Sequence, residues 1–139
     1  MSLWEPFTGP ARRAVVRAHQ VAQMFGSPHI GVEHVAFALA EGDDAVANVL
    51  ATAIDRDAIR ERLGIAGAMP KPDMVFTKGA KRTIELAFEN ARRLGHDFIG
   101  VPHLALGLLG NDECPPLVAG ADPAALRTSL ETIAGEKEA

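Results

Sequence analysis

The sequence predicts an all-α fold in which two four-helix repeats, about eight helices in all, pack together as one domain. Three observations support this prediction. The chain has 139 residues and 14.7 kDa, the size of one compact domain. Hydrophobic residues make up 47% of it, but aromatic residues only 5% and Tyr is absent, so the core must be built from small aliphatic side chains. Such a core favours helix packing over a β-sandwich. The third observation is an internal repeat.

The repeat relates residues 7–39 to residues 76–108 at a constant offset of 69, without a gap. Thirteen of the 33 aligned pairs are identical, including the tripeptides Ile30-Gly31-Val32 and Ile99-Gly100-Val101. This agreement is far above chance and indicates a duplication. We therefore expect one domain over residues 1–139, with repeat one at about 4–63, a Gly- and Pro-containing linker at 64–73, repeat two at about 74–134 and a tail at 135–139.

Each repeat begins with an amphipathic helix. Apolar residues recur at helical spacing from Ala11 to Phe25 and again from Ala80 to Leu94. A threonine precedes each stripe as a candidate N-cap, and a glycine follows each stripe at the expected C′ position. These four residues are Thr8 and Gly26 in repeat one, and Thr77 and Gly95 in repeat two.

Three shorter helices are predicted to follow in each repeat. The second begins just after Gly31 and just after Gly100. The third spans residues 45–52 in repeat one, and its counterpart near Pro115-Pro116 is expected to be shorter or distorted, because proline cannot continue a helix interior. The last covers about 56–63 in repeat one and about 123–133 in repeat two.

Charge, hydropathy and cysteine content argue against several classes of protein. The net charge is −4, shared equally by the two halves, which is not typical of a nucleic-acid-binding protein. No apolar run approaches the roughly 18 residues that a membrane span needs, and the N-terminus lacks the apolar region of a signal peptide. Cys114 is the only cysteine, which fits a reducing compartment. We therefore expect a cytoplasmic protein without nucleic-acid or membrane partners.

Two motifs in each repeat resemble those of the Clp N-terminal repeat family. Its opening, FT-x-x-A-[RK]-[RK], is matched by residues 7–13 and 76–82. Its centre, IG-T-EH-[IL], resembles residues 30–35 and 99–104, with Val32 and Val101 in place of the threonine and Pro102 in place of the glutamate. The resemblance covers roughly residues 4–134 and is closest to the N-terminal domains of bacterial ClpC-type unfoldases. It implies the double four-helix fold and a role in protein quality control.

The resemblance implies a non-catalytic module that binds proteins or peptides and needs no cofactor. Its expected partners are protein substrates, adaptor proteins or components of a Clp unfoldase or protease, and some family members also bind cyclic-peptide antibiotics near the two FT openings. The chain contains no G-x-x-x-x-G-K-[ST] motif of an ATPase. It is expected to act as a stand-alone adaptor or decoy, or alternatively as the N-terminal domain of a full-length ClpC-like unfoldase. A small hydrolase is a remote third alternative, because no nucleophile–base–orienter set can be assembled.

The resemblance also implies a phosphoarginine site. The residue at the position of Glu33 binds the guanidinium group in the family, and a carboxylate suits that role because it accepts two parallel hydrogen bonds. Thr8, at a helix start with free N–H groups, would hold the phosphate, with Thr77 as its counterpart. Alternatively, Glu33 only complements the helix dipole and Thr8 only caps its helix. Pro102 replaces the matching acidic residue in repeat two, so a second site is not expected there.

Two further groups of residues are singled out. Aromatic residues at the two repeat openings, together with a lysine, predict an apolar patch for a partner or, alternatively, an anchor for the N-terminal segment: Trp4, Phe7, Phe76 and Lys81. His34 and His103, with Gly31 and Gly100, are motif residues in both repeats. We expect each ring to be structural and hydrogen-bonded to a neighbouring carbonyl rather than to bind a metal or act as an acid or base. Neither a catalytic residue nor a metal site is predicted.

Overall fold

The fold is known from a computed structural model, which describes residues 5–42, 44–63, 75–115, 117–118 and 120–136. The described residues form seven helices and no strand, and this confirms the all-α class. Repeat one contains α1 (Gly9–Met24), α2 (Val32–Glu41), α3 (Ala45–Ala51) and α4 (Arg56–Leu63). Repeat two contains α5 (Lys78–Arg93), α6 (Val101–Leu109) and α7 (Pro123–Gly135). None of these helices is long and apolar enough to cross a membrane.

The two long helices begin and end in the same way. Thr8 Oγ1 accepts a hydrogen bond from the Ala11 N–H at 3.2 Å, and Thr77 Oγ1 accepts one from the Ala80 N–H at 3.1 Å. Both threonines are therefore N-caps, as predicted. At the other end Gly26 and Gly95 have φ angles of 65° and 77°, a conformation that favours glycine and closes the helix in a Schellman motif.

The third helix of repeat two is missing from the described residues between α6 and α7, so that seven helices are observed rather than about eight. Pro115 lies there, and proline has no N–H to donate within a helix. The chain turns instead: the Glu113 N–H donates to Asn111 Oδ1 at 2.8 Å. It then pairs with the end of α3, where the Val118 N–H donates to the Ala53 carbonyl at 2.8 Å.

Small residues let the helices approach closely. α1 packs against α2 and α5 against α6, and α2 also contacts α6 across the boundary between the repeats. A Cβ atom at Gly107 would overlap the carbonyl oxygen of Thr83 and lie 2.9 Å from the Ala87 nitrogen, so α5 and α6 touch at backbone distance. The largest fully buried apolar side chains belong to one common core: Phe37, Leu39, Leu50, Leu108 and Leu130.

The two repeats are joined by a reciprocal backbone pairing. The Thr8 N–H donates to the Ile99 carbonyl, and the Ile99 N–H donates to the Pro6 carbonyl, both at 2.9 Å. On the other side, the Ile30 N–H donates to the Val75 carbonyl at 3.0 Å, and the Thr77 N–H donates to the Ile30 carbonyl at 2.9 Å. The opening of each repeat therefore pairs with the centre of the other. The predicted linker at 64–73 lies outside the described residues.

Candidate functional site

The reciprocal pairing places the starts of the helices side by side in two pairs. The start of α5 lies beside the start of α2, because Thr77 bonds to Ile30. The start of α1 lies beside the start of α6, because Thr8 bonds to Ile99. Each candidate site is thus composed of one helix from each repeat.

The reciprocal pairing, which crosses between the repeats, contradicts the expectation that Thr8 and Glu33 contribute to the same site. The ring of Phe7, next to Thr8, packs edge-on against Phe88 with 5.7 Å between ring centroids, late in α5. Ile30, three residues before Glu33, pairs with Phe76, just before α5 begins. About ten residues of α5 lie between its start, near the pairing of Ile30 with Phe76, and the contact of Phe7 with Phe88, which is about 15 Å along the helix. Glu33 therefore shares a site with Thr77, and Thr8 lies at the opposite end of α5.

The pair formed by α2 and α5 carries groups of both charges. Glu33 is half-buried in the first turn of α2, and its carboxylate makes no hydrogen bond or ion pair with any residue that the structure describes. Thr77 is half-buried at the start of α5, where Lys78 and Lys81 are exposed. An unpaired carboxylate and two cations at adjacent helix starts can accept a ligand that has both a cationic and an anionic group.

The pair formed by α1 and α6 is different. The first turn of α6 has no acidic residue, and Pro102 occupies the position that corresponds to Glu33. Pro102 is fully buried, beside a depression of about 220 Å³ that is also lined by Pro10, Asp44 and Ile133. The start of α6 beside Thr8 therefore offers no carboxylate that corresponds to Glu33.

The two motif histidines are structural caps, but their hydrogen bonds run in the opposite sense to the one expected. His34 Nδ1 accepts a hydrogen bond from the Gly31 N–H, and His103 Nδ1 accepts one from the Gly100 N–H, both at 2.8 Å. Nδ1 carries no proton while it accepts this bond, so in the capped state each ring is neutral and carries its proton on Nε2. Within the described ranges, no three His, Cys, Asp or Glu side chains are grouped as metal ligands would be.

Burial lowers the pKa of both rings. The pKa of His103 falls to about 4 because the ring is buried and because His96 lies next to it. The pKa of His34 is lowered by burial, and the nearby Glu33 carboxylate opposes part of this shift. His103 Nε2 lies 2.9 Å from His96 Nδ1, and the His96 ring stacks on Phe98. His96 showed no signal in the sequence, because the equivalent residue in repeat one is Ser27.

Of the three residues of the predicted apolar patch that the structure describes, one is buried, one is half-buried and one is exposed. Phe7 is only 4% exposed and belongs to the core, which removes it from the surface on which it was expected. Phe76 is half-buried and lines, with Val15 and Ile84, a closed crevice of about 10 Å³ between α1 and α5. Lys81 is exposed, and Trp4 lies outside the described residues.

Comparisons with known proteins identify the family. The family model described as the Clp repeat (R) N-terminal domain matches residues 75–139. Chaperone protein ClpC2 of Oryza sativa subsp. japonica and chaperone protein ClpC1 of Arabidopsis thaliana, both chloroplastic, are each 34% identical over 145 residues. These alignments cover 97% of this chain but 16% of either relative. The chain thus spans about a sixth of the length of the curated relatives it matches.

Solved structures agree on the fold. The N-terminal domain of ClpD from Arabidopsis thaliana superposes with a TM-score of 0.72 at 23% identity, covering 96% of this chain and 97% of that one. The Hsp104 N-terminal domain from Candida albicans gives a TM-score of 0.69 at 14% identity, covering 96% and 95%. Sequence and fold thus lead to one assignment: the chain belongs to the Clp repeat N-terminal domain family, matching the N-terminal domains of ClpC and ClpD chaperones.

Proposed function

We propose that this Clp N-terminal domain binds protein substrates and adaptors of a Clp unfoldase, and that it recognises phosphorylated arginine on them through Glu33 and the start of α5. The observation that carries the proposal is the crossed pairing of the repeats, in which the Thr77 N–H bonds to the Ile30 carbonyl. It brings an unpaired carboxylate of one repeat to the first turn of a helix from the other.

The chemistry of the site suits phosphoarginine. The Glu33 carboxylate would accept two hydrogen bonds from the guanidinium group. The phosphate would be attracted by the positive end of α5 and by Lys78 and Lys81. We expect one site per domain, because the α1–α6 pair has Pro102 where an acidic residue would be needed.

Two forms of this proposal differ in the length of the protein. In the first, the domain is a stand-alone cytoplasmic adaptor or decoy that binds clients or Clp components. In the second, it is the N-terminal domain of a full-length ClpC-like unfoldase, which is supported by its matching 16% of each ClpC relative. An immunoblot of native lysate distinguishes them, because only the first form gives a band near 14.7 kDa.

Isothermal titration calorimetry with free phosphoarginine tests the site. Wild type is expected to bind one equivalent and to discriminate against arginine and phosphoserine, which each lack one of the two charged groups. Glu33→Gln removes the charge with little change of shape and should abolish binding. Phosphoarginine binding by Glu33→Gln at wild-type affinity would refute the assignment.

The chain offers a matched control for the phosphate side of the site. Thr8→Ala and Thr77→Ala each remove one N-cap of nearly identical geometry, so both should lose similar stability. Only Thr77→Ala should weaken phosphoarginine binding, since Thr8 lies at the other pair of helix starts. Equal weakening by the two variants would show that lost stability, rather than a lost ligand contact, is the cause.

A further inference from the structure

The outer face of α1 carries an unneutralised basic residue beside exposed apolar side chains. We define this face by Arg13, Val16, Gln20 and Met24, which follow one another at helical spacing. We propose that the α1 face docks an acidic amphipathic helix of a partner protein. This inference rests on the binding function proposed above only in that it names the chemistry of a partner protein. The phosphoarginine site is separate from it, because Glu33 lies on α2 and not on the α1 face.

The arginines on the corresponding face of α5 are neutralised by ion pairs within the domain. Arg82 corresponds to Arg13 at the offset of 69. Its Nη1 atom lies 3.4 Å from Glu85 Oε1 and 3.0 Å from Glu89 Oε2. Farther along, Arg93 Nη2 lies 2.8 Å from Glu131 Oε2 on α7. The face of α5 is therefore charged, but each of these arginines is paired within the domain.

The α1 face has no acidic residues at the matching positions. Val16 stands where α5 has Glu85, and Gln20 stands where α5 has Glu89. Arg13 is exposed and makes no hydrogen bond or ion pair with the part of the chain that the structure describes. No acidic residue occurs anywhere in α1. The positive charge of Arg13 is thus left without the local neutralisation that Arg82 has.

Two of the positions that are charged in α5 carry exposed apolar side chains in α1. Val16 is 54% exposed and Met24 is 60% exposed, and among the described residues only Val75 is a comparably exposed large hydrophobic residue. Met24 corresponds to Arg93, so the second ion pair of the α5 face is also replaced by an apolar surface. The two apolar residues are eight positions apart, which places them about 12 Å apart along the same face of the helix.

These features specify the partner's chemistry. A carboxylate near Arg13 would supply the charge that Glu85 and Glu89 supply to Arg82. Apolar side chains spaced by two helical turns would cover Val16 and Met24, and the flexible methionine can adapt to their shape. A helix lying along α1 with acidic and apolar residues at alternating three- and four-residue spacings provides both.

The test uses the whole domain and a defined probe. The probe is a fluorescein-labelled synthetic helix with leucines at heptad spacing and glutamates between them, and its control has lysines in place of the glutamates. Fluorescence anisotropy at low salt should show binding of the acidic peptide alone. The double variant Val16→Glu with Gln20→Glu rebuilds the α5 pattern on α1 and should weaken binding at least about tenfold, as should Arg13→Glu. Arg82→Glu, at the equivalent position of α5, should leave binding unchanged.

The binding measurements support the proposal or overturn it. The substituted positions on α1 and α5 are exposed, and circular dichroism checks that each variant is folded. The proposal is overturned if the acidic peptide does not bind, if the lysine peptide binds equally well, or if Arg82→Glu weakens binding as much as Arg13→Glu. Glu33→Gln separates the two proposals: it should lose phosphoarginine and keep the acidic peptide, and loss of both ligands in Glu33→Gln would contradict an independent α1 face.

Discussion

Replacing His103 with glutamine is expected to flatten the dependence of stability on pH. In the folded chain the pKa of His103 is lowered to about 4, first by burial and second by His96, whereas an unperturbed histidine has a pKa of 6.5. Between these two pH values the unfolded chain binds more protons than the folded one. The free energy of unfolding should therefore be unaffected above about pH 6.5 and fall as the pH drops toward 4.

The size of the effect follows from the same two pKa values. The difference between them corresponds to about 3 kcal/mol, a large part of the stability of a small domain. Glutamine cannot ionise, and its side-chain oxygen can accept the Gly100 N–H as His103 Nδ1 does. His103→Gln also loses the contact with His96, so we expect it to be less stable than wild type at pH 7.5 and to approach or overtake it near pH 4.

Urea unfolding followed by circular dichroism between pH 7.5 and 4 measures this convergence. Carboxylates and His34 titrate in both proteins, so their contributions cancel when the two free energies are subtracted. A difference between wild type and His103→Gln that stays constant over the whole pH range would show that the buried ring does not control acid stability, and the reasoning from its hydrogen bonds would be wrong.

Two further predictions concern packing and capping. Gly107→Ala should destabilise the domain by about 1–3 kcal/mol, because the new Cβ atom would meet the α5 backbone at Thr83; Gly135→Ala, which meets nothing within 4 Å, is the control, and equal urea midpoints for the two variants would contradict the close approach. Thr8→Ala and Thr77→Ala should each cost about 1 kcal/mol in thermal unfolding, because each removes one equivalent N-cap; a cap that contributes nothing in one repeat would show that the two helix starts are not equivalent.

The sequence predicted those parts of the fold that depend on local signals. The stripe of apolar residues, the N-cap threonine and the C′ glycine lie within one helix length of each other, and all three occur as predicted in both repeats. The third helix of repeat two was the uncertain element, because Pro115 conflicts with an otherwise duplicated pattern. Proline has no backbone N–H to donate, so the helix that repeat one forms is not found among the described residues at the matching place in repeat two.

The candidate site was harder to predict, because its parts are distant in sequence. Glu33 and Thr77 come together through a backbone pairing between residues 30 and 76, and no periodicity in either segment indicates that pairing. The bond between His96 and His103 also had no signal, since repeat one has Ser27 at the first position and leaves the buried Nε2 of His34 without a hydrogen-bond partner among the described residues.

The crossed arrangement changes how substitutions in a duplicated domain act. In a domain whose repeats were independent, Pro102 would alter the site of its own repeat. Here Pro102 lies beside the start of α1, so the α1–α6 pair lacks the carboxylate that Glu33 places beside the start of α5. The outer faces of α5 and α1 also differ at matched positions. Glu85 and Glu89 neutralise Arg82 on α5, whereas Val16 is exposed on the α1 face. Because the backbone pairing joins each repeat opening to the centre of the other repeat, a substitution at one pair of helix starts leaves the other pair of helix starts unchanged.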